Sequence, residues 1–390
     1  MKQLCIIGQD YSGTNIVPGS ESSFTLEGVP LRFGIIETDD IGFDADASEN
    51  ADRVYFRVTA FSCNYRDRAF ALRMKEPKFS KSYFVLGSDF VGEVIAVGRN
   101  VTRFKPGDRV IADGAYPSSG VEGVMPGIPT NQGSRELQIL HQCKLIRIPD
   151  SMSDAVAGGF SIGGQTAYSM VRRLNLQPGD NVLVTGAKSN TSLYAISALQ
   201  NYGVNTYAIS RSQKHADKLK ALGVDRLITV DPSQKGWSLS GDLAQCVMEI
   251  GGFDAMVDPF SDVYLAEIPN ILAIGGRHIT CGVVDQHSHL LGQEPIVDPV
   301  DASRLMGMVL ARNISIIGNC LGQTSDLQDA IDDYAGGKLD VPVYAHLGVQ
   351  ETGRFFEKTY LDMDRFGKVV LDYNKDAATA SGKMAALATA

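Results

Sequence analysis

Cysteine is sparse in this sequence and never forms a C-x-x-C pair: Cys5, Cys63, Cys143, Cys246, Cys281 and Cys320 stand far apart. That scatter argues against a disulfide framework and for a reduced, cytoplasmic protein. Basic clusters are missing too, and the net charge of −9 argues against a nucleic-acid surface. No window is long and apolar enough to span a membrane, and the apolar run in MKQLCIIGQDYSG is shorter than a signal peptide needs. No repeat or low-complexity tract interrupts the folded part. The small-residue tail DAATASGKMAALATA reads equally well as a frayed end or a short helix.

At 390 residues, with 44% apolar and 21% charged, the chain has the length for two domains and the balance of a globular enzyme. Its first half has β texture. VYFRVTAF (Val54 to Phe61) alternates, and GEVIAVG (Gly92 to Gly98) and DRVIADG (Asp108 to Gly114) flank the turn-forming FKPGD (Phe104 to Asp108). Ala115 to Gly133, with Pro117, Pro126 and Pro129, is a loop of a length that usually signals function or mobility. From about Gln177 the pattern changes to strand and helix in alternation. NVLVT, NTYAIS, RLITV, FDAMVD and GRHITCG are the strands, separated by helical stretches, one of them running to about Ala273; NISIIGN (Asn313 to Asn319) closes the series. Such alternation builds βαβ units on a parallel sheet, an α/β fold. GKVVLDY (Gly367 to Tyr373) is a further strand near the end.

NVLVT runs into GAKSNTS (Gly186 to Ser192) and a helix. A strand–turn–helix of this kind aims backbone N–H groups and a helix N-terminus at an anion. The glycine pattern G-x-x-G-x-x-G has become Gly186, Ser189 and Ser192. Serine is small enough for close approach, and Ser189, Asn190, Thr191 and Ser192 suit a helix start and offer polar groups to phosphate; the alternative is a turn that no longer binds pyrophosphate. At the end of the next strand stand Ser210, Arg211 and Ser212, with Lys214 close behind. An NAD site places an acidic residue there, whereas an Arg flanked by hydroxyls suits the 2′-phosphate of NADPH; the alternative is an exposed Arg at a helix start.

Together these segments resemble the medium-chain dehydrogenase/reductase superfamily. LGSDFVGEVIAVGRNVTRFKPGDRV (Leu86 to Val110), TAYSM (Thr166 to Met170), LQPGDNVLVTGA, SRSQKHADKLKALGVD and GKVVL carry the resemblance, and VGRNVTRFKPGDRV is its most specific part. The resemblance implies a GroES-like β-barrel catalytic domain (1–168 and 323–390), completed by the C-terminal segment, around a Rossmann-type doubly wound parallel sheet (169–322), with the active site in the cleft between them. It also implies a homodimer paired through the last Rossmann strand, NISIIGN.

Zinc-binding members open their ligand set with C-x-x-D and a Gly-His-Glu. Here the matching segments are Asn64-Tyr65-Arg66-Asp67 and Gly87-Ser88-Asp89, and the third ligand position falls in GGFS (Gly158 to Ser161). A slide of register onto Cys63 leaves one thiolate where three ligands are needed. The structural zinc lobe is replaced by the Ala115 to Gly133 loop, and His287 and His289 read as solvated; no metal is expected. Asn64-Tyr65-Arg66-Asp67 is similar to the N-F-R-D of enoyl reductase domains, which send hydride to an activated C=C. Carried over by position, Asn64, Tyr65 and Ser88 face the nicotinamide end and are the catalytic candidates, with Tyr65 equally readable as core packing. A tyrosine that some enoyl reductases place a dozen residues on is replaced by MKEPKF. Asp67 is expected to tie down its loop, Thr166 and Tyr168 to flank the nicotinamide, and Gly282, Val283, Asn319 and Leu321 to offer backbone groups to its carboxamide. Lys368 is expected to reach a cofactor phosphate. Three activities fit: an NADPH-dependent, metal-free reductase of an enoyl or quinone-type small molecule, a metal-free carbonyl reductase, and a non-redox relative with an impaired phosphate turn.

Overall fold

A computed structural model describes residues 1–234, 236–284 and 300–375. His287, His289 and the C-terminal tail from Asp376 lie outside these. No described helix is long and apolar enough to cross a membrane. The chain divides into two compact units, Met1–Ile162 with Pro342–Ala390, and Gly163–Val341. The sequence boundaries, drawn at 168/169 and 322/323, differ from this division for a physical reason. The helices Ser161–Arg173 and Thr324–Ala335 are clamped together by the Arg172–Asp326 ion pair and by Tyr168 donating to Asp333, so from Gly163 on both belong to the second unit.

The first unit carries β1 (Lys2–Ile7), β2 (Ser22–Leu26), β3 (Val29–Glu37), β4 (Arg53–Ser62), β5 (Tyr83–Val85), β6 (Asp89–Val97), β7 (Arg109–Ala112), β8 (Leu137–His141) and β9 (Leu145–Arg147). The second carries β10 (Asn181–Val184), β11 (Asn205–Ser210), β12 (Arg226–Thr229), β13 (Phe253–Asp258), β14 (Leu272–Thr280) and β15 (Ser315–Gly318), and the chain returns to the first with β16 (Val343–Gly348) and β17 (Lys368–Asp372).

In the first unit one sheet runs β2-β3-β1-β5 and the other β16-β17-β4-β6-β7-β9, with β8 also on β4. β4 shows the period of two that a half-buried strand requires: Val54, Phe56, Val58 and Ala60 are buried and Arg57 is exposed. The C-terminal segment does complete this unit, because β17 inserts antiparallel beside β4 with Leu371 opposite Phe61. Two register shifts in the β4–β6 ladder bend the pair, and β6 starts with Asp89 opposite Ser62. The turn after β6 is tight: Gly107 has φ +87° and Asp108 accepts from the N–H of Lys105 at 2.9 Å.

The second unit is a six-stranded, wholly parallel sheet in the order β12-β11-β10-β13-β14-β15. This is the Rossmann-type doubly wound arrangement, whose strand order reverses between β10 and β13, the place where such sheets bind ligands. β10 and β13 are almost entirely buried, as strands covered on both faces must be. β14 starts earlier than the sequence suggests, at Leu272, because the preceding helical turn stops at Ile271 and Gly275, at φ +78°, accommodates a register shift against β13. Among the described residues β15 is an edge strand, and it is mostly exposed.

Gly98 opens the tight passage from β6 to the hairpin. A β-carbon there would collide with the carbonyl oxygen of Asn50. Gly98→Ala is expected to destabilise the protein by about 1–3 kcal/mol, read as a lower midpoint in urea melts; an unchanged midpoint would contradict the close packing described.

Candidate active site

In the first unit the strand registers converge on one buried polar cluster. Continuing the β17–β4 register by three residues from Leu371 and Phe61 sets Lys368 opposite Asn64, while β6 presents Asp89 across from Ser62. Asn64 ends β4's extension in extended conformation and caps the helix Tyr65–Arg73. Asp67, three residues into that helix, accepts from the backbone N–H of Asn64 at 2.7 Å, one half of a capping box. Asp67 also accepts from the N–H of Gly87 at 3.2 Å and from the Ser88 hydroxyl at 2.5 Å, and so ties the two loops together.

With its backbone N–H capped by Asp67, the Asn64 side chain turns to the cluster. Its amide nitrogen donates to Asp89 at 2.7 Å and to the Ser88 oxygen at 3.0 Å. Its amide oxygen accepts from the Lys368 ammonium at 2.5 Å, and the ammonium also donates to Asp89 at 3.0 Å. Asp89 further accepts from the backbone N–H of Ile162 at 2.8 Å, at the start of the helix Ser161–Arg173, where a carboxylate is favoured. Lys368 is only 3% exposed, so its ammonium is held among these side chains; the expectation that it reaches a phosphate did not anticipate this placement.

Burial pushes the Asp67 carboxyl up, opposed by its hydrogen bonds from Asn64 and Ser88. Burial likewise pushes the Cys63 thiol well above its ordinary value, with Asp67 nearby adding to the effect, so Cys63 is not poised as a thiolate. No three His, Cys, Asp or Glu side chains among the described residues group as metal ligands. Tyr65 lies apart in character: the guanidinium of Arg68 covers its ring at 5.0 Å, and its phenol neighbours the half-buried Arg365. Beneath Asn64, the Tyr360 hydroxyl donates to the Asn64 carbonyl at 3.1 Å.

In the second unit the serine-bearing turn is unstrained. Gly186 alone takes a left-handed φ, +53°, while Ser189 has φ −69° and caps the helix Asn190–Leu199. The Ser192 hydroxyl donates to the Thr185 carbonyl at 2.7 Å. Having one proton, it must accept from Ser189 across their 2.8 Å oxygen separation. The Ser189 oxygen in turn accepts from the N–H of Ser192 at 3.2 Å. Both hydroxyl protons are thus spent inside the turn, contrary to the expectation that they donate to phosphate. The backbone N–H groups of Asn190 and Thr191 have no partner among the described residues, and they lie at the positive end of a ten-residue helix. These amides fit a dinucleotide pyrophosphate.

The turn rests on the neighbouring strand. Asp258 accepts from Thr185 at 2.7 Å and from the N–H of Phe260 at 2.9 Å, and its other oxygen meets Nε2 of the fully buried His278 at 3.0 Å. Neither residue stood out in the sequence; their signal is a polar residue at the end of an otherwise apolar strand.

Ser210 is buried and its hydroxyl accepts from the N–H of Ser212 at 3.4 Å. Arg211, Ser212 and Lys214 are exposed. Arg211 makes no hydrogen bond or ion pair among the described residues. Thr166 is buried on its helix, while Tyr168 spends its hydroxyl on Asp333 at 2.8 Å and so braces helices. The Gly282 carbonyl accepts from the hydroxyls of Ser261 and Thr280 at 3.1 and 3.3 Å, and Val283 follows it half-buried. Asn319 is engaged at both ends, accepting from Ser169 at 3.0 Å and Arg173 at 2.8 Å and donating to the Leu321 carbonyl at 2.7 Å. That brace holds Leu321 at a left-handed φ of +53°, a strained conformation for a leucine. The Leu321 N–H has no partner among the described residues.

Comparison with known proteins places this geometry. The alcohol dehydrogenase GroES-like domain family matches residues 50–173, and the zinc-binding dehydrogenase family matches residues 191–336. Acryloyl-coenzyme A reductase of Metallosphaera sedula is 26% identical over 343 residues, covering 84% of this chain and 94% of its own. Erythronolide synthase EryA2 of Saccharopolyspora erythraea is 26% identical over 292 residues, 73% of this chain but only 7% of that much longer synthase. Among solved structures, 2-octenoyl-CoA carboxylase reductase CinF, in complex with NADP and 2-octenoyl-CoA, superposes with a TM-score of 0.66 at 22% identity, covering 88% of this chain and 82% of its own. A β-barrel unit completed by its C-terminal strand, a doubly wound six-stranded sheet with a strand–turn–helix at its switch point, and family matches along both make this chain a member of the medium-chain dehydrogenase/reductase superfamily of oxidoreductases.

Proposed function

We propose that this chain is an NADPH-dependent, metal-free reductase that delivers hydride to a carbon–carbon double bond conjugated to a carbonyl, an enoyl or quinone-type substrate. The observation that carries the reading is the hydrogen bond between Asn64 and Ser88. At the positions where zinc-binding relatives place ligands, this chain has an amide and a hydroxyl bound to each other and to two carboxylates. Such a set lacks the thiolate and imidazole a catalytic zinc prefers, which leaves hydrogen bonding rather than a Lewis acid to stabilise a developing oxyanion. The acryloyl-coenzyme A reductase relative, and the NADP and 2-octenoyl-CoA of the CinF complex, support the same reading. The expected result is NADPH oxidation with an enoyl-CoA thioester, an enone or a quinone, by protein that holds no stoichiometric zinc and is indifferent to chelator. About one zinc per chain, with activity lost on chelation, would contradict it.

The bound cofactor supplies the hydride, and the chain's residues bind and orient it. The amides of Asn190 and Thr191 are assigned to the pyrophosphate, the Leu321 N–H to the nicotinamide carboxamide, and Arg211, with Ser210, Ser212 and Lys214 around it, to the 2′-phosphate. An exposed guanidinium with no hydrogen-bond partner among the described residues keeps its planar fork for a phosphate. Arg211→Ala should narrow the preference for NADPH over NADH by about 1–3 kcal/mol, measured by fluorescence titration. Equal affinities in the wild-type protein would refute the assignment.

A homodimer through β15 belongs to the same reading. This edge strand exposes Ile316, and the helix Ala302–Arg312 exposes Met306 and Leu310; an open edge beside apolar side chains is a pairing template. Light scattering should give twice the 42.0 kDa chain mass, and Ile316→Lys should shift it toward monomer. A monomeric wild type at micromolar concentration rules the pairing out.

A further inference from the structure

Every hydrogen-bond donor in the Asn64 cluster except one is spent inside it. The two amide protons of Asn64 go to Ser88 and Asp89. The Ser88 hydroxyl proton goes to Asp67, and the Asn64 and Gly87 backbone N–H groups go there too. Lys368 has three N–H groups and, among the described residues, only two acceptors, Asn64 and Asp89. Among the described residues its third proton is therefore the one donor the cluster has left, and it is carried by a cation. The motif points to Asn64 and Ser88 as the oxyanion's partners, but neither has a proton to give.

Resting on the reductase reading above, we propose that Lys368 is the catalytic electrophile, donating its third N–H to the substrate carbonyl oxygen. As hydride adds to the β-carbon, the C=C electron pair shifts through the α-carbon and the carbonyl π pair moves onto oxygen. That enolate oxygen takes the hydrogen bond from Nζ, and the α-carbon then takes a proton from water to give the saturated carbonyl compound. A charged donor in a water-poor site stabilises such an oxyanion far more than an amide does. Asn64 and Asp89 are positioning residues, fixing the direction of the ammonium. The lysine's path is built into the fold. Its stem passes over Gly159, where a β-carbon would collide with Lys368 Cγ, which gives a reason for glycine in the GGFS segment.

The test compares Lys368→Met, Lys368→Arg and Gly159→Ala with wild type. Three quantities are read: NADPH dissociation constant by fluorescence, melting temperature, and single-turnover NADPH oxidation with crotonyl-CoA. Lys368→Met should lower the turnover rate about 100–1,000-fold, the usual loss for one oxyanion donor, while NADPH affinity changes less than about threefold. Lys368→Arg should recover part of the rate because it keeps a charged donor, and Gly159→Ala should slow turnover by displacing the stem. Should Lys368→Met fail to fold, Lys368→Gln with Asp89→Asn removes both buried charges and allows the same comparison. An unchanged rate overturns the proposal. So does a tenfold or greater loss of NADPH affinity with the rate kept at saturating NADPH, which would assign Lys368 to a cofactor phosphate. A wild type inert toward enoyl thioester, enone and quinone alike overturns the reductase reading, and this proposal with it.

Discussion

The ammonium of Lys368, buried and held between the amide oxygen of Asn64 and the carboxylate of Asp89, is the interaction around which the first unit is arranged. A buried cation is tolerated only where its hydrogen bonds and countercharge are satisfied. Meeting that condition takes three strands in fixed register, because β17 brings the lysine, β4 the asparagine and β6 the aspartate. Removing either member of the charged pair leaves the other unpaired, a loss of about 3–5 kcal/mol in comparable buried pairs. The same cluster therefore fixes the barrel's C-terminal strand.

The second unit solves a different problem with the same economy of protons. Replacing two glycines of a phosphate turn by serine would be costly if either position needed a left-handed backbone. Ser189 takes an ordinary φ of −69°, and the hydroxyl relay from Ser189 through Ser192 to the Thr185 carbonyl replaces glycine's freedom with a fixed shape. Asp258, backed by His278, holds Thr185 in turn. The shape so fixed leaves the amides of Asn190 and Thr191 without a partner among the described residues, while the serine hydroxyls bond within the turn.

Local features were legible in the sequence. The hairpin VGRNVTRFKPGDRV and the apolar runs NVLVT and FDAMVD announce themselves because a tight turn and a strand buried on both faces each constrain the residues next to one another. The replacement of the family's Cys and His by Asn64 and Ser88 could be read directly as well. The role of Lys368 could not, since it depends on pairing between β17 and β4, whose residues lie about 300 positions apart, and no local pattern encodes that register. The unit boundaries were missed for a related reason. The Arg172–Asp326 and Tyr168–Asp333 ties join helices far apart in sequence, and each partner alone looks like an ordinary surface charge or aromatic. The proton economy of the serine turn was equally hidden, because it depends on which oxygen accepts.

The central claim is hydride delivery from NADPH to the β-carbon of a conjugated double bond by a metal-free site. It is tested most directly by tracing deuterium from C4-deuterated NADPH into the product formed from an enoyl-CoA thioester, with the protein's metal content measured on the same sample. The account predicts deuterium at the β-carbon of the saturated thioester from protein without zinc. Deuterium on a carbinol carbon, or transfer that occurs only after zinc is added, would contradict it.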